Sequence, residues 1–133
     1  MKLKPKSDIT SLSLNERRRI VNCILDFCKA TLGVKRKKSP LKVSVINVDG
    51  AEYGHYNPNI NLIMINTFEC ETLDITVRTI IHEYTHFMQD LRSYEKLYRK
   101  FGYAEHPQEL EACDNELKYE RRALNYLKNN LSL

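Results

Sequence analysis

The residues best suited to chemistry lie at positions 82–86, which read HEYTH and fit the pattern H-E-x-x-H. Residues four apart on a helix share one face, so His82 and His86 can both direct a ring nitrogen at one metal ion. Glu83 lies beside that face, from which its carboxylate can reach a water on the metal rather than the metal itself. The pattern predicts metal-assisted hydrolysis with Glu83 as the catalytic base.

The flanking residues place this motif on a buried helix. Residues 79–81 and 87–88 carry no charge, and apolar residues recur at helical spacing up to position 91. Thr72 and Asp74 are favourable residues at a helix start. We predict a helix over residues 74–91, and Tyr94 and Tyr98 continue its spacing as packing residues.

A zinc ion held by two histidines needs a third protein ligand and keeps its fourth position for water or substrate. Residues 101–107 contain a glycine and a proline that separate the motif helix from a following helix. On that helix Glu109 shares a face with the small Ala112, which lets two helices approach. We predict Glu109 as the third ligand, with Glu111 and His106 as alternatives.

Helices and a few strands are predicted around this centre. Ser13 and Glu16 have the spacing of a capping box, so a first helix is expected over residues 13–31 and ends before Gly33. Residues 41–48 alternate as a strand does and lead into a turn, and residues 60–66 form another strand. The order predicts an α+β fold with a sheet of two to four strands.

Length and composition are those of one small globular domain over residues 1–133, in which residues 1–10 could be disordered. The chain has 133 residues, of which 42% are hydrophobic and 29% charged. No segment approaches the roughly 18 apolar residues of a membrane span. The basic N-terminus does not lead into an apolar segment of the kind found in secretory signals. We therefore expect a cytoplasmic, intracellular protein that does not contact membranes.

Cysteine and basic residues carry less information. The 4 cysteines form no C-x-x-C pair and are predicted to be free thiols. The net charge of +4 is concentrated at residues 17–19, 35–38 and 121–122. Because no aromatic residues are interleaved with these clusters, solvated surfaces are favoured over a nucleic-acid interface.

The motif and the run ELEA at residues 109–112 resemble the zincin metallopeptidases, and among them the gluzincins, whose third ligand is a glutamate on a later helix. Over about residues 60–116 the chain is most similar to minigluzincins and to the ImmA/IrrE type of small peptidase. The resemblance implies a single small zincin-like domain, one zinc ion per chain, Glu109 as a ligand, a peptide or protein substrate and a phage-like origin.

The resemblance also implies a supporting residue and a substrate-binding strand. In related patterns the residue four positions after the ligand glutamate supports a motif histidine. Here that residue is Cys113, whose sulfur is a poor acceptor for an imidazole N–H. Glu111 as ligand would give this role to Asn115, so the register stays open. The strand over residues 60–66 is expected to be the sheet edge along which an extended peptide lies.

Polar residues near the expected cleft could stabilise an oxyanion. Tyr103 and His106 are candidates for this role, and so are Tyr53 and His55.

Two other functions stay open. A DNA-associated or regulatory protein of the SprT-like type would use His106 as a third histidine ligand. A zinc-stabilised module without turnover would close its site with His106 or Cys113.

Overall fold

Residues 3–37 and 39–132, the part of the chain described by a computed structural model, form helices around a small sheet. The elements are α1 (Leu14–Leu32), β1 (Lys42–Ile46), β2 (Gly54–Asn57), β3 (Leu62–Asn66), α2 (Leu73–Met88), a 3-10 turn (Leu91–Ser93), α3 (Tyr94–Phe101) and α4 (Pro107–Asn130). The predicted α+β fold of one small domain is confirmed. Among the described helices, none is long and apolar enough to cross a membrane.

The first helix begins with the predicted capping box. The Ser13 hydroxyl accepts a hydrogen bond from the Glu16 N–H at 3.1 Å, and the Glu16 carboxylate accepts one from the Ser13 N–H at 2.9 Å. These two bonds satisfy N–H groups that have no partner within the helix. At the other end Gly33 has φ +87°, a conformation that favours glycine and ends the helix.

The sheet has the order β1-β3-β2. Strand β3 is parallel to β1 and antiparallel to β2, and its Ile63 and Ile65 are fully buried. The prediction that residues 60–66 form the sheet edge is therefore wrong, because β3 has a hydrogen-bonded neighbour on each side. The short strand β2, which begins at Gly54, is an edge strand and lies on the side of the sheet nearer to the HEYTH motif.

Helix α2 carries the motif through the middle of the molecule. It packs against the sheet, against α1 and, most extensively, along α4. The hydrophobic core lies where these elements meet, and its largest fully buried apolar side chains are Ile9, Ile20, Ile24, Ile63, Ile65, Leu73, Ile80, Ile81, Tyr84 and Phe87. The motif is thus held by a helix that contacts every other layer of the fold.

Helix α2 ends three residues before the predicted position 91. Gln89 is extended, with φ −84° and ψ 158°, and the Asp90 carboxylate accepts a hydrogen bond from the Arg92 N–H at 3.1 Å. A side chain that bonds to the backbone in this way starts a new turn in competition with the helix. The prediction that Tyr94 continues the motif helix is wrong, since Tyr94 begins the separate helix α3.

Residues 3–10 of the N-terminal segment lie against the start of α2. Ile9 is fully buried, and its N–H donates to the Glu71 carbonyl at 3.0 Å. Lys6 forms an ion pair of 2.7 Å with the buried Asp74 carboxylate at the start of α2. The buried side chain of Ile9 and this ion pair connect the segment to the rest of the fold. Met1 and Lys2, and Lys38 of a basic cluster, lie outside the described residues.

The basic cluster at residues 17–19 is only partly a solvated surface. The Arg17 guanidinium is buried and donates to the carbonyls of Thr10 at 2.6 Å and Leu12 at 3.2 Å. It also donates to the Asn47 side chain at 2.8 Å and the Thr67 hydroxyl at 3.3 Å. The two arginines that follow it are exposed, as predicted. Arg17 joins the N-terminal segment to the sheet.

Candidate metal site

Three side-chain atoms from two helices converge beside the cleft. His82 Nε2 lies 3.2 Å from His86 Nε2, one helical turn away on α2. Glu109 of α4 directs Oε1 at both, 2.9 Å from His82 Nε2 and 3.1 Å from His86 Nε2. The three side chains form one of the groups among the described residues that could hold a metal ion.

The spacing of these atoms fits a tetrahedral zinc ion. Ligand atoms at about 2.0–2.1 Å from such an ion lie about 3.3 Å from one another. The three observed separations, 2.9, 3.1 and 3.2 Å, are close to this value. Imidazole nitrogen and carboxylate oxygen are also common donors to zinc. The residues therefore fit the metal that the sequence predicts.

The second nitrogen of each histidine is held by an oxygen acceptor. His82 Nδ1 lies 2.7 Å from Glu116 Oε2, and His86 Nδ1 lies 2.7 Å from Gln89 Oε1. When Nδ1 donates its proton to such a partner, the lone pair of Nε2 is left for a metal. Both rings are thus oriented with Nε2 toward Glu109, as zinc coordination requires.

Charge is concentrated in this cluster. Burial opposes protonation of His82, but hydrogen bonds with Glu109 and Glu116 outweigh it and raise the pKa of His82 to about 10. Burial likewise opposes ionisation of Glu109, yet hydrogen bonds from His82, His86 and Tyr94 hold its pKa well below the ordinary value. Without a metal the cluster therefore favours a protonated His82 beside an ionised Glu109, and a metal ion at Nε2 would take the place of that proton.

Glu83 lines the same cavity as the three converging side chains. The cavity has a volume of about 350 Å³ and is also lined by residues of β2 and by Tyr103. Within the described part of the chain no group donates a hydrogen bond to the Glu83 carboxylate, and burial raises the pKa of Glu83. An unengaged carboxylate with a raised pKa is suited to accept a proton from water near neutral pH.

A glycine allows β2 to approach Glu83 closely. A Cβ atom at Gly54 would lie 2.7 Å from Thr79 Cγ2 and 3.2 Å from Glu83 Cγ, both on α2. These distances are shorter than ordinary van der Waals contact, so a larger residue would push the strand away from the helix. Gly54 is therefore part of the wall that confines Glu83.

The alternative ligands lie elsewhere. The exposed Glu111 accepts a hydrogen bond from Gln89 Nε2 at 2.7 Å and does not join the cluster. His106 is fully buried and caps α4: its Nδ1 accepts from the Gln108 N–H at 3.1 Å, and its Nε2 donates to the Tyr94 carbonyl at 3.0 Å. Both nitrogens of His106 are thus engaged away from the cavity, so His106 is neither a ligand nor an oxyanion donor here.

The remaining predicted polar residues are distributed around the cleft. Tyr103 and His55 line the cavity with Glu83, whereas Tyr53 borders a neighbouring one. The ring of Tyr103 is largely exposed, but burial of its hydroxyl and the nearby Glu109 carboxylate raise the pKa of Tyr103 to about 12. Tyr103 consequently keeps its proton at neutral pH and can donate a hydrogen bond.

Sequence reasoning missed the residues that support the ligands. Tyr94 donates its hydroxyl proton to Glu109 Oε2, while Gln89 and Glu116 hold the two Nδ1 atoms. Cys113, at the position of the expected supporting residue, does not take that role. Glu116 could have been found, because it lies seven residues after Glu109 on the same face of a helix. No local sequence signal identifies Tyr94, which reaches the site from α3.

Comparisons with known proteins identify no relative. No family model, no curated protein and no solved structure matches the chain. A functional interpretation therefore depends on the chemistry of the converging side chains themselves.

Proposed function

We propose that this chain is a zinc-dependent metallopeptidase that binds one zinc ion through His82, His86 and Glu109. One observation carries the proposal: Nε2 of both histidines and Oε1 of Glu109 lie 2.9–3.2 Å apart, and each Nδ1 is turned to a fixed oxygen acceptor. Two histidines that only fill the core would not need to direct both Nε2 atoms at one carboxylate oxygen. This donor set supports the gluzincin-like assignment.

The surroundings favour a catalytic site over a structural one. Structural zinc sites are closed by four protein ligands, whereas catalytic sites have three and an open position. The three converging side chains line an open cavity of about 350 Å³ next to Glu83. Neither His106 nor Cys113 belongs to this group of three among the described residues. A zinc-stabilised module without turnover is accordingly the weaker interpretation.

Glu83 is the general base in this proposal. Zinc, when bound, would supply a water of lowered pKa and would polarise the carbonyl group of the substrate. Glu83 accepts the proton of the attacking water and then delivers it to the leaving nitrogen. Its raised pKa and its lack of hydrogen-bonded partners among the described residues suit both transfers. Tyr103, protonated at neutral pH, donates a hydrogen bond to the developing oxyanion.

The edge of β2 is suited to hold an extended peptide. The Asn66 N–H donates to the Tyr53 carbonyl at 2.9 Å, and hydrogen-bonded pairs alternate along an antiparallel ladder. In the observed register the backbone groups of Gly54 and Tyr56 then point away from β3. No described residue hydrogen-bonds to them, and both residues line the cavity. A peptide adding to this edge would pass beside Glu83.

Three further sequence-based predictions are carried over unchanged. An intracellular location, a phage-like origin and a substrate of peptide or protein class stay predictions. A SprT-like, DNA-associated function finds no support in the site, because both nitrogens of His106 are occupied by other partners.

The experiment is a cleavage assay on a peptide library with zinc-loaded protein, read by mass spectrometry of the new termini. Glu83→Gln should lower the cleavage rate by about 10²–10⁴-fold while zinc content stays at one per chain, since a general base supplies acceleration of this order. The matched control is Glu95→Gln on the exposed surface of α3, which should cleave at the wild-type rate.

Two outcomes would contradict the proposal. Cleavage that survives in Glu83→Gln would come from another residue or from a contaminant. A zinc-loaded wild type that cleaves no peptide in the library would argue against a peptidase.

A further inference from the structure

A second group of metal-binding side chains lies on the opposite side of His82. Cys113 and Glu116 are three residues apart on α4 and therefore share one face of the helix. A ring nitrogen of His82, the Cys113 sulfur and a Glu116 carboxylate oxygen all lie within 4.8 Å of one another. This group differs from the first in containing a thiol.

The group opens onto its own cavity. A space of about 320 Å³ is bordered by His82, Cys113 and Glu116, with Tyr53, Thr79 and Tyr103 around it. Cys113 is exposed, so an ion from solution can reach the sulfur without a change in the fold. The other cysteines are less accessible: Cys28 and Cys70 are buried, and burial raises their pKa values to about 12 and about 11.

We propose that Cys113, Glu116 and Nδ1 of His82 form a second, weaker site for a thiophilic divalent ion such as zinc or cadmium. Thiolate, imidazole and carboxylate together suit these ions, and a thiolate favours the softer cadmium. Binding there releases the proton that His82 Nδ1 shares with Glu116, and the Cys113 thiol releases its own proton. With both sites occupied, His82 would have lost the protons of both ring nitrogens and would act as an imidazolate ligand.

The shared histidine explains why this site is the weaker one. Glu116 Oε2 lies 2.7 Å from His82 Nδ1, so an ion must displace a short hydrogen bond to reach that nitrogen. The same displacement removes the bond that orients His82 toward the first site. Excess metal should therefore disturb the site that the proposed peptidase uses, although the second site itself does not depend on peptidase activity.

Cadmium titration of the full chain tests the inference, with metal content and ultraviolet absorption measured together. Thiolate-to-cadmium charge transfer absorbs in the ultraviolet on the short-wavelength side of the aromatic band, and the first site contains no sulfur. The wild type should bind two equivalents, and this absorption should appear with the weaker one. Cys113→Ser should lose the absorption and keep the tighter equivalent. The matched control is Cys23→Ser, at a half-buried thiol of α1, which should keep both.

Each outcome separates the two sites. Absence of the absorption at saturating cadmium, or its survival in Cys113→Ser, would overturn the second site. Absorption that depends on Cys113 without a tighter sulfur-free equivalent would support the second site and contradict the proposed peptidase centre. Because Cys113 is exposed, its replacement by serine should leave the circular dichroism spectrum unchanged.

Discussion

Two buried polar clusters in this molecule differ in how their charged groups are stabilised. The cluster around Arg17 places one cation among neutral acceptors, namely two carbonyls, an amide oxygen and a hydroxyl. The cluster around Glu109 places two imidazoles against one carboxylate oxygen, with their Nε2 atoms 3.2 Å apart. In the first cluster every guanidinium nitrogen already has an acceptor. In the second, a bound metal ion would be stabilised by the two imidazole nitrogens and the carboxylate oxygen.

The contrast shows how a structural polar cluster differs from a functional one. A buried charge whose polar atoms all have hydrogen-bond partners stabilises a fold by joining its segments. A cluster of titratable groups with shifted pKa values, beside a cavity, is more typical of a site that binds or reacts. Arg17 meets the first description and the group of His82, His86 and Glu109 meets the second. Substitutions in the two clusters should therefore change different quantities.

The largest effect on folding is expected from Arg17→Met. It should lower the free energy of unfolding by about 3 kcal/mol, since buried acceptors left without a donor cost about 1–3 kcal/mol each. Zinc affinity should stay at the wild-type value. Denaturant unfolding measures the first quantity and metal titration the second. Arg18→Met, on the exposed side of the same helix, is the control and should change stability by less than about 0.5 kcal/mol.

An equal loss of stability in both arginine variants would remove the distinction between the clusters, because the exposed arginine makes no buried contact. A loss of zinc affinity in Arg17→Met at unchanged stability would also contradict it.

The opposite pattern is expected for Glu116→Ala, which removes the acceptor of His82 Nδ1. Zinc affinity should fall by about 10–100-fold, the usual effect of losing a partner that orients a metal-binding histidine. Competition with a chromophoric chelator would measure it. The control is Asp114→Ala, which removes an exposed carboxylate from the same helix and should leave affinity within about twofold. Equal losses in the two variants would indicate a general charge effect instead of orientation of His82.

Sequence patterns were sufficient for features that depend on neighbours along the chain. The capping box of Ser13 and Glu16 is local, and the fold class followed from the order of periodic segments. Helical spacing fixes which residues share a face, so the sequence could indicate that the two histidines and Glu109 lie close together.

Features that depend on contacts between distant segments could not be predicted from sequence patterns. The position of β3 between two strands depends on the order of strands in the sheet. The alternation of apolar and polar residues along one strand does not indicate that order. The spacing of Tyr94 predicts a packing residue on a continued α2, because nothing in the sequence pattern marks Asp90 as the start of a new turn. The sequence predicts that Arg17 belongs to a solvated cluster, because no local pattern indicates that four acceptors from three segments surround its guanidinium.

A smaller effect is expected where β2 meets α2. Gly54→Ala should lower the free energy of unfolding by about 1–2 kcal/mol, because the new methyl group would lie 2.7 Å from Thr79 Cγ2. Adding Thr79→Ser removes that methyl contact and keeps the hydroxyl that donates to the Ile75 carbonyl. The double variant should recover part of the loss. Thr79→Ser alone, measured in parallel, gives the baseline, and a double variant no more stable than Gly54→Ala would assign the loss to another contact.

Metal content is the most direct test of the central claim that His82, His86 and Glu109 hold zinc. Elemental analysis would compare the wild type with Glu109→Ala and with Glu111→Ala, all purified in the same way and supplied with zinc before removal of excess. One tightly held zinc per chain in the wild type and in Glu111→Ala, and its loss in Glu109→Ala, is the expected result. A wild type that retains no zinc, or a site lost with Glu111 and kept without Glu109, would contradict the claim.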